Sequence, residues 1–272
     1  MHGRGPKKCF HCGQEGHVAK QCPKKGNSPN PPRKKKTQTS KHPDPLVAAK
    51  DLLKNVDTEF IDTHIHLDYI MQKTKVIHYK KLRDRFFNIP NFGGCVCIFC
   101  DMAGLSPSLG IYNELLQEEK VYGAFGLHPH FANHYDENVE KRIIEGLKHK
   151  KAVALGECGL DYHYNNSKPE LQRECFVKQC KLAVALKKPI VIHSREAEQD
   201  TLDIMKKHLP QDWKIHVHCF TDTPEFAQKL LAHFKNIYFG FTGVITYPSA
   251  KQIQQTVKIC PLEKILLETD GP

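Results

Sequence analysis

The sequence predicts an α/β fold, a TIM-like (β/α)8 barrel preceded by a small CCHC zinc knuckle. Three observations support this fold: short apolar, β-rich runs recur after residue 58, amphipathic stretches separate them, and metal-capable polar residues follow the runs. Near-continuous apolar strands that alternate with helices are typical of a parallel sheet covered on both faces. Eight such strands in about 210 residues match the strand number of a closed barrel.

The eight predicted strands are 60–66, 93–99, 121–127, 152–157, 189–193, 214–220, 237–241 and 264–270. A helix is predicted over residues 171–188, LQRECFVKQCKLAVALKK, because Phe176, Leu182 and Leu186 repeat near the helical period. No apolar run reaches the roughly 20 residues that span a bilayer, so no membrane association is expected.

Positive charge is concentrated at the N-terminus. Residues 1–50 contain twelve Lys or Arg and two Asp or Glu, so they account for the whole net charge of +10. This charge suits an anionic polymer such as nucleic acid, although a solvated tail is the alternative interpretation. Eleven cysteines without an export signal favour thiols and metal ligation in an intracellular protein, nuclear or cytoplasmic.

The stretch CFHCGQEGHVAKQC has the spacing C-x2-C-x4-H-x4-C, formed by Cys9, Cys12, His17 and Cys22. Three thiolates and one imidazole complete a tetrahedral zinc shell, and the metal would supply the folding energy of so short a segment. We therefore predict one structural Zn in residues 1–25. The spacing resembles the zinc knuckle of retroviral nucleocapsid-type proteins, which implies a single-stranded nucleic acid ligand.

Within the knuckle, Phe10 is positioned to stack on a base and Lys20 to contact phosphate. His11 is interpreted as a surface residue, with base stacking as the alternative. Residues 26–57 are predicted to be a basic, Pro-rich linker and lead-in, because five prolines lie between residues 26 and 45. The run RKKK at 33–36 fits a nuclear-import signal and a solvated linker equally well.

Metal-capable residues stand at the ends of the predicted strands: His64, His66, His128, Glu157, His193, His218 and Asp270. Any one of them could be a satisfied core or loop residue, but their repetition on separate strands favours a shared site, because strand ends meet at one face of a barrel. In FIDTHIHLDYI, His64 and His66 share one strand face, and buried imidazoles need partners. We therefore interpret this pair as metal ligands.

Nitrogen and carboxylate donors together suit Zn, Mn or a similar divalent ion. Six ligands, His64, His66, Glu157, His193, His218 and Asp270, are too many for one open catalytic ion. They suit two ions that share a carboxylate, an arrangement that hydrolyses phosphodiesters. The expected cofactors in the barrel are therefore two divalent metal ions (Zn, Mn or Mg).

Residues 58–272 resemble the TatD-type metal-dependent deoxyribonucleases of the amidohydrolase-like superfamily. The resemblance rests on six motifs in order: DTHIHLD 62–68, GLHPH 126–130, GECGLDYH 156–163, IHSRE 192–196, HCFTD 218–222 and LLETDGP 266–272. It implies a dinuclear site in which one ion is bound by His64, His66, Glu157 and Asp270. The other ion is bound by Glu157, His193 and His218, so Glu157 bridges the two.

The resemblance also implies catalytic roles. Asp270 is placed to take a proton from the attacking water, and His128 and Arg195 lie near the substrate phosphate. Pairing of Arg195 with Glu196 or another carboxylate is the equally weighted alternative. Asp161 is expected to orient a neighbour rather than to bind metal.

Three features depart from the family pattern. The loop after His218 reads FTDTP, where the family usually has glycine after threonine, and the additional His216 is interpreted as a core histidine. The chain ends at Pro272, directly after the eighth strand, whereas the family continues through a further helix. We therefore expect a barrel truncated after strand 8, with apolar surface exposed beside the first and last strands.

The sequence thus predicts a metal-dependent nuclease that hydrolyses phosphodiester bonds of DNA, with RNA as a further substrate and a knuckle that retains single strands. One alternative is a catalytically silent nucleic-acid-binding protein with an incomplete barrel. Another is a small-molecule amidohydrolase, but a small substrate gives the basic N-terminus no role. The oligomeric state is not predicted.

Overall fold

The computed structural model describes residues 57–84, 89, 91–164 and 166–271, all of which belong to one compact unit. The predictions made for the knuckle and for most of the linker therefore lie outside the described residues. They concern Cys9, Cys12, His17 and Cys22 as zinc ligands and Phe10 and Lys20 as nucleic acid contacts. These assignments, and the domain boundaries at residues 25 and 57, stay predictions.

Eight parallel strands pair in chain order. They are β1 Phe60–Ile65, β2 Phe92–Phe99, β3 Val121–Phe125, β4 Ala152–Asp161, β5 Ile190–Arg195, β6 Lys214–Val217, β7 Asn236–Phe241 and β8 Ile265–Leu267. Backbone bonds join β1 to the segment after β8: Asp270 N donates to His64 O at 2.9 Å and His66 N to Gly271 O at 2.8 Å. The sheet is therefore a nearly closed barrel, which confirms the predicted TIM-like fold.

Eight α-helices are present in the described residues. They are α1 Leu67–Thr74, α2 Tyr79–Leu82, α3 Ile111–Leu115, α4 Glu137–Leu147, α5 Pro169–Ala185, α6 Glu198–His208, α7 Pro224–His233 and α8 Lys251–Ile259. The helix predicted over 171–188 is α5. None of the helices in this part of the chain combines the length and the apolar character needed to cross a bilayer.

Two separate apolar clusters fill the fold. The larger lies between the sheet and the helices and includes buried phenylalanines such as Phe99, Phe176 and Phe226. The smaller contains Ile98, Cys100, Ala124, Ala154 and Val191. The Sγ of Cys100 lies 3.8 Å from Glu157 Oε2, so this second cluster fills the barrel interior directly beside Glu157.

A β-bulge in β4 determines where Glu157 points. Leu155 is paired with Ile190 and Cys158 with Ile192, so β4 has one residue more than β5 between these pairs. In a regular strand, Ala154 and Glu157 would point to opposite faces. The extra residue changes the phase of the alternation, as bulges do, and brings Glu157 to the interior face that Ala154 occupies.

Gly159 permits the close approach of β4 to β5. Its φ is +149°, and a Cβ at this position would overlap the backbone carbonyl of His193. Only glycine combines this backbone conformation with so little space. Gly159 therefore allows Glu157 and His193, which lie on adjacent strands, to reach the same part of the barrel.

Apolar side chains are exposed on the first and last strands. Ile61 of β1 is 53% exposed and Leu267 of β8 is 63% exposed. On the opposite side of the barrel, the outer face is covered by α5, where Phe176, Cys180 and Ala183 are fully buried.

Two buried glutamines of α5 fasten the ends of β3 and β4. Gln179 Oε1 accepts from Leu127 N at 2.8 Å, and its Nε2 donates to Leu127 O at 3.0 Å. Gln172 makes the same pair of bonds to the backbone of Asp161, at 2.8 and 2.9 Å. Since His128 follows Leu127, these amides hold two segments that carry predicted site residues.

We expect Gln179→Met to lower the free energy of unfolding by about 2–4 kcal/mol, because two buried backbone groups at Leu127 lose their partners. Urea denaturation followed by circular dichroism measures the change. Gln117→Met is the matched control, since Gln117 is exposed and its substitution is expected to cost less than about 0.5 kcal/mol. Equal losses in the two variants would contradict this role of Gln179.

Candidate metal centre

The carboxylate of Glu157 lies at the centre of the site. Its Oε2 is 3.1 Å from His64 Nε2 and 3.5 Å from His66 Nε2. Its Oε1 is surrounded by three further ring nitrogens: His218 Nε2 at 3.1 Å, His193 Nδ1 at 3.2 Å and His128 Nε2 at 3.3 Å. The two oxygens therefore face two different groups of imidazoles.

Asp270 closes the site on the side of β1. Its Oδ1 lies 3.5 Å from the Nε2 atoms of both His64 and His66, and 4.0 Å from His218 Nδ1. The Asp270 side chain is 29% exposed, whereas that of Glu157 is 3% exposed. Asp270 is therefore the carboxylate at the open mouth of the site, and Glu157 is the one at its floor.

The structure brings all seven residues predicted from the strand ends together. Three groups of ligand atoms are close enough to share an ion: His64 with His66 and Glu157, His64 with His218 and Asp270, and His128 with Glu157 and His193. Sequence reasoning placed His128 near the substrate, and the structure adds it to the candidate metal donors. The signal for this second role was already present, because His128 follows a strand end as the other ligands do.

The donor set fits divalent metal ions. Each of five imidazoles has a ring nitrogen 3.1–3.5 Å from an oxygen of Glu157, and two of them lie 3.5 Å from Asp270 as well. Such a mixture of nitrogen and oxygen donors is typical of Zn and Mn sites. Because each oxygen of Glu157 has its own group of imidazoles, the carboxylate is able to bridge two ions. The residues present therefore fit the metal centre that the sequence predicts.

A second carboxylate orients His193. Asp161 Oδ2 lies 3.2 Å from His193 Nε2, which leaves the Nδ1 of that ring directed at Glu157. The same Asp161 oxygen lies 2.9 Å from His130 Nε2. A carboxylate behind a ligating imidazole fixes its tautomer and orientation, which is the role expected for Asp161. Sequence reasoning missed His130, although it is the second histidine of the GLHPH motif.

Below the centre, His216 Nε2 lies 2.9 Å from Glu268 Oε2, and the backbone N–H of Cys219 also donates to Glu268. His216, Glu268 and His64 form a fourth group of metal-capable atoms, deeper in the barrel. His216 was interpreted as a core histidine, and its carboxylate partner Glu268 was not predicted. The signal available was the glutamate of LLETDGP, two residues before Asp270.

The site favours charged carboxylates. Burial alone would raise the pKa of Glu157, but His218, His128 and His193 outweigh it and hold that pKa well below the ordinary value. Burial would also raise the pKa of Asp270, but the neighbouring imidazoles, His66 above all, lower it to about 2. Both carboxylates are therefore ionised at neutral pH and available to a cation.

The histidines are divided into protonated and neutral ones. Burial would lower the pKa of His66, but Asp270 and Glu157 raise it to about 9. For His193, Asp161 and Glu157 overcome burial in the same way and raise the pKa to about 9. Burial lowers the pKa of His64 to about 4, so its ring is neutral at pH 7.

Arg195 is not paired with Glu196. Glu196 Oε1 instead lies 2.6 Å from His163 Nδ1. The Arg195 guanidinium makes no ion pair with any described residue and lies over the ring of Tyr164, 4.9 Å from its centroid. The interpretation in which Arg195 pairs with a carboxylate is therefore not confirmed among the described residues, and its contact with the substrate phosphate stays a prediction.

A parallel barrel with imidazoles and carboxylates at the carboxyl ends of its strands defines the class of metal-dependent hydrolases built on a TIM-like scaffold. The family described as TatD related DNase matches residues 61–272, and the chain belongs to this family. A separate match, described as zinc knuckle, covers residues 7–24 and agrees with the motif found in the sequence.

The names of some relatives state an activity. The chain is 45% identical over 223 residues to the human protein named 3'-5' RNA nuclease TATDN2. This alignment covers 80% of the chain but only 29% of the human protein. The chain is 35% identical over 157 residues to the Escherichia coli protein named 3'-5' ssDNA/RNA exonuclease TatD, covering 57% of the chain and 60% of that protein.

The fold is also found in solved structures. The crystal structure of YJJV, a TatD homologue from Escherichia coli K12, matches with a TM-score of 0.64 and 26% sequence identity. The match covers 78% of each chain. A Saccharomyces cerevisiae structure described as an uncharacterized amidohydrolase, 21% identical with a TM-score of 0.65, shares the fold over 78% of this chain and 75% of its own.

We expect the affinity for Zn²⁺ or Mn²⁺ to rise between pH 6 and pH 9. The raised pKa values mean that His66 and His193 carry protons below about pH 9 in the metal-free protein, and these protons must leave when metal binds. Each displaced proton makes the affinity change by about tenfold per pH unit. Isothermal titration calorimetry in buffers of different ionisation enthalpy counts the released protons, and an affinity that is constant from pH 6 to 8 would contradict this expectation.

Proposed function

We propose that the chain is a metal-dependent nuclease that hydrolyses phosphodiester bonds of DNA and RNA at a dinuclear site in the barrel. One observation carries the proposal: the two oxygens of Glu157 face separate groups of imidazoles, at 3.1–3.5 Å and 3.1–3.3 Å. A carboxylate so placed can hold two cations close together, the arrangement that catalyses in-line displacement at phosphorus.

In this proposal His64, His66 and Asp270 would hold one ion, His193 and His218 would hold the other, and Glu157 would contribute to both. His128 lies beside the second group and is available to it. Bound divalent ions would act as Lewis acids for the phosphodiester and for the attacking water. The protein keeps the donors ready, because the imidazoles hold the pKa values of both carboxylates below their ordinary range.

Asp270 is the proposed acceptor of the proton from water. It is the more exposed of the two carboxylates in the site, with 29% of its side chain exposed, and its pKa of about 2 keeps it ionised. When the water oxygen forms its bond to phosphorus and the leaving oxygen departs, the proton passes from water to Asp270 and then to the leaving oxygen. Glu157 is 3% exposed and cannot exchange protons with solvent as readily.

His128 and Arg195 are the proposed contacts of the substrate phosphate. The Arg195 guanidinium retains donors for a phosphate because it makes no ion pair with a described residue. His128 Nδ1 accepts from His130 N at 3.1 Å, which orients its Nε2 toward Glu157 and the mouth of the site. His128 follows β3 and Arg195 is the last residue of β5, so both lie at the carboxyl ends of the strands, where a phosphodiester at the metal centre would be bound.

Both nucleic acids are proposed as substrates on the strength of the relatives. The human relative is named an RNA nuclease and the Escherichia coli relative an ssDNA/RNA exonuclease. The sequence alone suggested DNA as the first substrate. Because the human relative is named an RNA nuclease, RNA is proposed as a substrate on an equal footing with DNA. Competition between DNA and RNA strands of the same sequence would rank the two.

The knuckle is proposed to retain single strands near the barrel. Its sequence match and the positive charge of residues 1–50 support this role. A tethered binding segment raises the local concentration of substrate even when its own affinity is weak. The eight described cysteines are free thiols, which supports the reducing environment of the nucleus or cytoplasm.

We expect Glu157→Ala to lower the rate of hydrolysis of single-stranded DNA and RNA by about 10³-fold or more, because it removes the ligand shared by both ions. The rate is measured with 5'-labelled oligonucleotides, and circular dichroism checks that the variant is folded. Glu225→Ala, on the exposed surface of α7, is the matched control. Full activity of Glu157→Ala, or of the wild type in excess chelator, would refute the metal-dependent nuclease.

The same measurements separate the silent binding protein from the nuclease. A folded wild type that binds metal and single strands but does not cleave them would support the former. Cleavage of small amides or esters in preference to oligonucleotides would support the small-molecule hydrolase.

We expect Cys12→Ser to raise KM for long single strands and to leave kcat nearly unchanged, because the knuckle contributes to binding and not to the chemical step. Steady-state kinetics on the whole 272-residue chain measure the two constants, and zinc content is determined in parallel. An unchanged KM in a variant that has lost its structural Zn would show that the knuckle is dispensable for this substrate.

A further inference from the structure

An exposed tyrosine lies on the active face of the barrel. Tyr164 follows the end of β4 and is 47% exposed. The rings of His163 and His130 stand at right angles to it, with centroid distances of 4.7 and 5.4 Å and interplanar angles of 89°. Neither the metal centre nor the proposed mechanism uses this ring.

The tyrosine is held in place beside the metal centre. Its backbone N–H donates to Asp161 Oδ1 at 3.1 Å, and the other oxygen of Asp161 contacts His193 and His130. The neighbouring His163 is fixed by its contact with Glu196. A single carboxylate thus orients a candidate metal ligand and anchors the segment that carries Tyr164.

Arg195 completes the arrangement. Its guanidinium carbon lies 4.9 Å from the centroid of Tyr164, within the range of a cation–π contact. Arg195 is the last residue of β5, and His193 lies two residues before it on the same strand face. Tyr164 and the Arg195 guanidinium stacked on it therefore face the same opening of the barrel as His193, a candidate metal ligand.

We propose that Tyr164 and Arg195 form a subsite for a nucleobase of the nucleotide next to the cleaved bond. The base stacks on the tyrosine ring, while Arg195 donates to the phosphate of the same nucleotide. Every base has an aromatic face, so such a subsite accepts any base and requires an unpaired strand. The inference rests on the proposed nuclease function and specifies its substrate as single-stranded nucleic acid.

The test uses the whole 272-residue chain, loaded with metal, and short single-stranded oligonucleotides that carry a normal base or an abasic residue next to the cleaved bond. We expect Tyr164→Ala to raise KM for the normal strand by about tenfold, with little change in kcat, because one stacking contact is lost. The wild type is expected to bind the abasic strand correspondingly less well. On the abasic strand, Tyr164→Ala and the wild type should have the same KM.

Two variants serve as controls. Tyr164→Phe retains the ring and is expected to behave as the wild type. Tyr122→Ala removes a tyrosine of similar exposure, 40%, that also has a cation near its ring, Lys151 Nζ at 5.9 Å. Because Tyr122 lies at the opposite, N-terminal end of β3, its substitution should leave both KM values unchanged.

An unchanged KM in Tyr164→Ala, or an equal rise on normal and abasic strands, would overturn the subsite, because the second result indicates a structural effect. Failure of the proposed function gives a different result, since the wild type would then cleave neither strand. In that case fluorescence anisotropy with labelled trinucleotides still decides the subsite. Weaker binding of Tyr164→Ala to the normal trinucleotide alone would support it, and equal binding of the two proteins would overturn it.

Discussion

The burial of the Glu157 carboxylate among imidazoles is the interaction on which the rest of the structure depends. A buried carboxylate is strongly unfavourable unless charged partners surround it. Its partners come from four different places in the barrel: the end of β1, the segment after β3, β5, and the segment after β6. These partners meet around Glu157 only in the folded barrel, and a divalent cation between them would strengthen the same arrangement.

Local backbone features place that carboxylate. The bulge in β4 turns Glu157 to the interior, and Gly159 allows β5 to approach closely enough for His193 to reach it. The helix α5 then fixes the ends of β3 and β4, through Gln179 at Leu127 and Gln172 at Asp161. Asp161 continues this chain of contacts outward, because it orients His193 on one side and anchors the segment of Tyr164 on the other. Metal centre and proposed base subsite are thus coupled through one side chain.

Much of this architecture could be predicted from the sequence, because strand alternation and strand ends are local signals. All eight strands and α5 were predicted, and the convergence of the residues from His64 to Asp270 followed from their position at the strand ends, whereas their role as metal ligands stays a prediction. The bulge in β4 was not predicted, since register depends on the neighbouring strand. The pairing of Glu196 with His163, the stacking of Arg195 on Tyr164 and the contact of His216 with Glu268 join separate segments, so no local pattern indicates them.

Glu157 is proposed to hold a divalent ion at each of its two oxygens. Anomalous diffraction from crystals grown with Mn²⁺ tests this proposal most directly, because it locates the ions without reference to activity. We expect two peaks on either side of the Glu157 carboxylate, about 3.5–4 Å apart. A single peak, or peaks that do not contact Glu157, would contradict it.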